Sequence, residues 1–121
     1  MPKILVVDDD ETVTNLMMTL LSMEGHQPAT VNDSTKAMNV ADQFEPELVI
    51  LDLMMPGLSG FELCDLLHKN PKYSNVPILI ISALDDPGSR SKALQLGARE
   101  FITKPFNVDM LLEMISELTR P

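Results

Sequence analysis

Four groups of reactive side chains in this sequence directly follow apolar runs. Asp8-Asp9-Asp10 follows Ile4-Leu5-Val6-Val7, and Asp52 follows Leu48-Val49-Ile50-Leu51. Ser82 follows Ile80-Ile81, and Lys104, with Pro105 behind it, ends the run Phe101-Ile102-Thr103. Brought to one place, the carboxylates of Asp8, Asp9 and Asp52 repel one another, and some of them are expected to hold their protons unless a cation joins them. Mg²⁺ is the natural guest. It takes oxygen ligands, keeps several waters, and is typically held by one or two carboxylates plus a phosphate. The Lys104 ammonium and the Ser82 hydroxyl can hold the remaining phosphoryl oxygens, while an aspartate can itself be the nucleophile and become an aspartyl phosphate. Phosphoryl transfer asks mainly for positioning and charge neutralisation, which this set supplies.

Such a grouping needs a fold that delivers the ends of several strands to one edge. Short apolar runs alternate with helix-period stretches throughout. The first strand is expected over Lys3–Val7, a weak second over Gln27–Val31, a third over Leu48–Leu51, a fourth over residues 77–81 and a fifth over Glu100–Thr103. Between them, Val13, Leu16, Met17 and Leu20 recur at helical spacing before Gly25, and Ala37, Val40, Ala41 and Phe44 mark a second helix ended before Pro46. Ser59-Gly60-Phe61-Glu62 reads as a capping box with Leu58 and Leu63 as its staple, opening a helix that stops before Pro71. Asp86-Pro87 reads as an N-cap followed by proline at the first helical position, and Gly97 closes that helix. Asn107 caps a last helix with an apolar face of Val108, Leu111, Leu112, Ile115 and Leu118. Five strand–helix units with short loops imply a parallel sheet covered on both faces by helices. They suit the doubly wound, flavodoxin-like order 2-1-3-4-5, an order taken from known α/β folds, in which ligands bind at the carboxyl ends of strands 1 and 3. Asp52 then lies centrally, with the first-strand acids on one side and Ser82 and Lys104 on the other.

Composition agrees with a single α/β domain over residues 1–121. The chain is 45% hydrophobic and 22% charged, which excludes a disordered or collagen-like chain. Its apolar runs are far too short to span a membrane or to form a signal-peptide core. The single cysteine, Cys64, cannot form an internal disulfide, so a cytoplasmic location is expected. The net charge of −9 argues against direct nucleic-acid binding. That excess sits in residues 1–62, which hold two basic and eleven acidic side chains, against seven of each in residues 63–121. Other residues have plainer readings. Asp10 is a helix cap, Asp85 and Asp86 are caps and loop charge, Cys64 is packing, the nine methionines are mostly core filler, and His26 and His68 are surface residues.

Taken in order, Ile4-Leu5-Val6-Val7-Asp8-Asp9-Asp10, Leu51-Asp52-Leu53-Met54-Met55-Pro56-Gly57, Ile80-Ile81-Ser82-Ala83 and Lys104-Pro105-Phe106 make a specific set. The chain resembles a response-regulator receiver domain of bacterial two-component signalling, of the chemotaxis-receiver type, over essentially its whole length. The resemblance implies that Asp52 accepts a phosphoryl group from a histidine kinase or histidine phosphotransfer protein. It implies that Asp9 and Asp52 bind Mg²⁺ with the backbone carbonyl of Met54, that Asp8 acts directly or through water, and that Lys104 pairs with the phosphoryl oxygens. Ser82 would move to bond them, with Phe101 coupled to that motion, and the face of helix 4, strand 5 and helix 5 would rearrange to control an output domain or effector protein. The Lys104–Pro105 bond is expected to be cis. The resemblance also implies a regulatory domain that catalyses only its own phosphorylation and dephosphorylation. It would be either a stand-alone domain or a part of a longer chain, with homodimerisation on activation open. Two positions differ from the frequent pattern: Ser82 stands where threonine is frequent and keeps the hydroxyl, and Phe101 stands where tyrosine is frequent and lacks one.

Three competing readings are weighed against this. A phosphate-independent pseudo-receiver does not account for the intact acids, Ser82 and Lys104. A Mg²⁺-dependent aspartyl-phosphate hydrolase of the haloacid-dehalogenase type needs a second aspartate two residues after the nucleophile, where this chain has Met54. A dinucleotide or flavin protein needs a glycine-rich loop after the first strand, where three carboxylates here repel a pyrophosphate.

Overall fold

The computed structural model describes residues 1–84 and 86–120. Five strands, β1 (Lys3–Val7), β2 (Gln27–Val31), β3 (Leu48–Leu51), β4 (Ile78–Ser82) and β5 (Glu100–Thr103), form one parallel sheet in the order β2-β1-β3-β4-β5. Helices α1 (Glu11–Met23), α2 (Ala37–Phe44), α3 (Gly60–Lys69), α4 (Pro87–Gln95) and α5 (Val108–Leu118) alternate with the strands. This is the flavodoxin-like arrangement expected from the strict strand–helix alternation.

The strands split the core by their two-residue period. Leu5, Val7, Val49, Leu51, Ile78, Ile80 and Phe101 face one apolar cluster with Ala37, Ala41, Leu63, Leu67 and Ala93 of α2, α3 and α4. Ile4, Val6, Leu48, Ile50, Leu79, Ile81 and Ile102 face a second with Met17, Leu21, Leu111 and Ile115 of α1 and α5. Each fully buried aliphatic side chain contributes about 1.5–3 kcal/mol relative to exposure, so these two layers drive the fold. Local chemistry agrees with it. Asp10, Ser59, Asp86 and Asn107 cap their helices, and Ser59 and Glu62 complete the expected capping box.

Several details differ from the sequence reading. The fourth strand sits one residue later, at Ile78–Ser82, which makes Ser82 its last member. A 3-10 turn over Ser34–Lys36, capped by Asp33, precedes α2. The buried stripe of α1 is Thr14, Met17 and Leu21, so Leu16 is rotated outward and is 45% exposed. Val108, in the first turn of α5, is exposed in the same way, and Met114 packs towards the core in its stead. Only Met17 and Met55 of the nine methionines are buried, because most of the others fall off the stripes that meet the sheet. His26 is half-buried, not superficial, and its Nδ1 has no hydrogen-bond partner among the described residues. Cys64 is fully buried, as expected, and burial pushes its thiol up to about 11, which keeps it inert. The reading of Asp85 as loop charge lies outside the described residues.

At the pole formed by the amino ends of the strands, Tyr73 is buried, and its hydroxyl donates to the Asp42 carboxylate beneath the ammonium of Lys72. Burial and that hydrogen bond push the phenol up to about 12. At the opposite pole, α3 starts directly under β3. A Cβ added to Gly60 would come within 2.1 Å of the Asp52 carbonyl oxygen, whereas one at Gly25, with φ +82°, would meet nothing within 4 Å. Gly25→Ala should therefore cost about 1–2 kcal/mol from the left-handed backbone alone. Gly60→Ala should cost about 3 kcal/mol or more from overpacking against the backbone. Urea unfolding midpoints of the two variants check the ranking, and an equal or reversed order would contradict the packing described here.

Candidate functional site

The carboxyl ends of β1, β3, β4 and β5 converge on a small acidic site. Asp8 continues the β1–β2 ladder by donating its N–H to the Val31 carbonyl at 3.1 Å, and its side chain turns inward to 3% exposure. One of its oxygens accepts from the Asp10 N–H at 3.0 Å, while Asp10 accepts from the Thr12 N–H at 2.9 Å and so caps α1. Asp10 therefore has its structural duty, and Asp9 between them is left exposed. Asp52 follows β3, donates its N–H to the Val7 carbonyl at 3.0 Å, and is 8% exposed. Carboxylate oxygens from Asp8, Asp9 and Asp52 lie within 4.8 Å of one another, a set that could hold a metal ion.

Lys104 reaches this set from the end of β5. Its ammonium donates to Asp8 Oδ2 at 2.9 Å and stands 3.6 Å from Asp52 Oδ2. The Lys104–Pro105 peptide is cis, as the resemblance implies. Backbone geometry locks the lysine to the fourth strand as well, through a Lys104 N–H to Ser82 carbonyl bond of 2.8 Å. Ser82 is fully buried, and its hydroxyl oxygen accepts from the Leu84 N–H at 3.2 Å. Phe101 pairs with Ile80 across the sheet, is 4% exposed, and carries the Arg90 guanidinium 5.7 Å above its ring. Met54, whose carbonyl the resemblance makes a ligand, has an exposed side chain.

The electrostatics follow from this crowding. Burial raises the Asp52 pKa above the usual carboxylate range, and the charge of Asp8 raises it further. Lys104 and the backbone N–H groups of Met54 and Leu53 pull the other way without cancelling the rise. Burial alone would lower the Lys104 pKa, but the hydrogen bond to Asp8 and the charges of Asp52 and Asp8 outweigh it and hold the ammonium above its ordinary value. Three carboxylates against one ammonium leave the site two positive charges short, and that deficit fits a bound divalent cation.

Two further residues that sequence reasoning passed over hold the loops of the site. The Asn32 amide donates to the Asp8 carbonyl and to Thr14 Oγ1, both at 2.9 Å. The Ser34 hydroxyl donates to the Pro56 carbonyl and accepts from the Leu58 N–H, both at 3.1 Å. The signal was a polar run, Asn32-Asp33-Ser34, directly after the end of β2.

A raised Asp52 pKa means that the ionised carboxylate opposes folding, so the part of stability linked to this group is present at low pH and lost as pH rises through its folded-state value. Asp52→Asn should therefore melt higher than the parent at neutral pH, by roughly 4 °C per kcal/mol of repulsion removed. The difference should shrink as the pH is lowered towards 3.8, the ordinary value of an aspartate. Melting curves of both proteins between neutral pH and that value check this, and a parent that melts higher throughout would contradict it.

The geometry invites comparison with known proteins. The family model described as response regulator receiver domain matches residues 4–116. The response regulator PleD of Caulobacter vibrioides is 38% identical over 118 residues, which is 98% of this chain and 26% of that protein. The DNA-binding dual master transcriptional regulator RpaA of Synechocystis is 33% identical over 99% of this chain and 50% of its own length. The chain thus spans about a quarter to a half of the curated relatives it matches. The BeF3-activated receiver domain of Klebsiella pneumoniae RstA superposes with a TM-score of 0.92 at 28% identity, covering 98% of this chain and 99% of that one. Chemotaxis protein CheY4 of Vibrio cholerae gives 0.92 at 27% identity and 98% coverage of each. On the family match, the sequence identities and the shared fold, the chain belongs to the receiver-domain family of response regulators.

Proposed function

We propose that this chain is a phosphorylation-controlled switch with Asp52 as its phosphoacceptor and residues 1–121 acting as one receiver unit. The observation that carries the reading is the meeting of a buried, raised-pKa Asp52 with Asp8, Asp9 and the Lys104 ammonium at one sheet edge. An Asp52 oxygen attacks the phosphorus of a phosphohistidine, the new O–P bond forms as the N–P bond breaks, and the imidazole leaves with its proton. Asp8, Asp9, Asp52 and the Met54 carbonyl would hold Mg²⁺, which would supply the positive charge that this transfer requires. Lys104 gives up its bond to Asp8 for a phosphoryl oxygen. Ser82 leaves the Leu84 N–H and donates its hydroxyl hydrogen to another phosphoryl oxygen, and Phe101 follows the space that Ser82 vacates. Met54 and Leu84, beside the site, hinder water and slow hydrolysis.

Such a switch needs several kcal/mol of differential stabilisation to pass nearly completely between states. Its readout surface is the face of α4, β5 and α5, where α4 presents Arg90 over Phe101 of β5 and α5 presents Asp109, Glu113 and Glu117. An output domain or effector protein docks there, and two copies on activation could set Arg90 of one against the acidic helix of the other. The phosphodonor, a histidine kinase or histidine phosphotransfer protein, approaches from the other side of Lys104. There Leu16, Ala83, Pro105, Phe106 and Val108 line an apolar cavity of about 580 Å³ at the mouth of the site. The domain works in the cytoplasm, without direct contact to nucleic acid or membrane. Cys64 is a buried free thiol, and no helix among the described residues is long and apolar enough to cross a membrane.

Incubation with acetyl phosphate and Mg²⁺, followed by intact-protein mass spectrometry, should give one phosphoryl adduct. EDTA or Asp52→Asn should abolish it, and Lys104→Ala should retain part of it while losing the amide NMR changes that follow. Undiminished labelling of Asp52→Asn would refute the assignment. Leu16→Glu should slow transfer from a phosphohistidine protein donor on the order of tenfold, equivalent to about 1.4 kcal/mol of docking energy, and leave acetyl phosphate labelling unchanged. Equal rates from the protein donor would move the docking site elsewhere.

A further inference from the structure

We propose that Asn32 and Ser34 are positioning residues that clip together the two loops bearing the site's oxygens and thereby set its affinity for Mg²⁺. The inference rests on the phosphoswitch reading above. The segment between β2 and α2 brings no reactive group to the site, yet it touches both loops that do. Asn32 spends one amide hydrogen on the Asp8 carbonyl of the β1–α1 loop and the other on Thr14 Oγ1 in the first turns of α1. Thr14 is 2% exposed and donates in turn to the Glu11 carbonyl at 3.2 Å, so the anchor point is itself fixed. Two residues on, Ser34 is 2% exposed and bridges the Pro56 carbonyl and the Leu58 N–H of the β3–α3 loop. Pro56 lies two residues after Met54.

The clip is stiff between its two ends. Asp33 accepts from the Thr35 N–H at 3.0 Å and from the Thr35 hydroxyl at 2.6 Å, while its carbonyl accepts from the Lys36 N–H at 3.0 Å. The β3–α3 loop is pressed against it. At Gly57, φ is +81°, and an added Cβ would stand 3.0 Å from Thr35 Cγ2. The distance between the two loops is thus fixed through Asn32-Asp33-Ser34 and not left to the loops themselves.

Mg²⁺ makes that distance matter. It demands near-ideal octahedral geometry at about 2.1 Å, which sets neighbouring ligand oxygens about 3 Å and opposite ones about 4 Å apart. The Asp8, Asp9 and Asp52 oxygens lie within 4.8 Å of one another, so the clip holds the loops close to the spacing the ion requires. Groups that orient ligands in this way commonly change metal affinity tenfold or more when removed.

The test is a Mg²⁺ titration of the unphosphorylated chain followed by amide NMR shifts, with melting temperatures measured without metal. Asn32→Ala and Ser34→Ala should each raise the Mg²⁺ dissociation constant on the order of tenfold. Ser34→Thr, which keeps the hydroxyl, should retain parental affinity. Acetyl phosphate labelling of Asn32→Ala and Ser34→Ala should recover to within about twofold of the parent once Mg²⁺ saturates, because the reacting groups are untouched. If Ser34→Ala fails to fold, Asn32→Ala, at an exposed position, carries the test alone. Parental affinity in both alanine variants, with or without a lower melting temperature, would overturn the clip and leave the phosphoswitch standing. A parent chain that binds no Mg²⁺ would overturn both.

Discussion

The constraint on which this structure turns is the mutual repulsion of carboxylates gathered in a partly dehydrated place. Asp8 and Asp52 are both nearly buried, and the one ammonium that reaches them bonds the first at 2.9 Å and only approaches the second at 3.6 Å. The result is a charge imbalance that the fold tolerates and does not cure, with Asp52 displaced upward in pKa by burial and by its neighbour. The negative excess that remains is of the kind a divalent cation would relieve.

The architecture supplies the force that keeps the repelling groups together. Two apolar layers, one on each face of the sheet, fix the ends of β1, β3, β4 and β5 in register, so the side chains just beyond them have no choice of neighbour. Gly60 lets α3 begin hard against the Asp52 backbone, and the Lys104 N–H to Ser82 carbonyl bond carries the lysine to the correct height. At the other pole, Tyr73, Asp42 and Lys72 tie the loop before β4 to α2. The sheet is therefore tied off at one end and carries the acidic site at the other.

Much of this was legible in the sequence because the dominant signals were local. Strand ends bearing Asp8, Asp52, Ser82 and Lys104 were marked by the apolar runs before them, and every helix cap named from Asp10, Ser59, Asp86 and Asn107 acts as one. What escaped was orientation and long-range polar contact. Helical spacing alone could not decide whether Leu16 or Leu21 faces the sheet, since both fit a stripe through Met17, and tertiary packing chose Leu21. Methionine composition suggested filler, but the aliphatic strand residues already fill the core and leave most methionines outside it. Asn32 and Ser34 escaped because their hydrogen bonds cross 18 to 24 positions to loops that only the fold brings near.

The anchoring of α4 has a consequence on a longer timescale. Of its nine residues, Ala93 alone is buried, and seven are exposed. Selection purges mutations that push a protein below its stability threshold, and a helix with one packing obligation offers few such targets. Its surface can be rewritten almost freely, while any change near Gly60 or β3 is punished at once. Within one chain, the sheet and the residues around it are held fixed by the core, while the outer surface of α4 is free to drift.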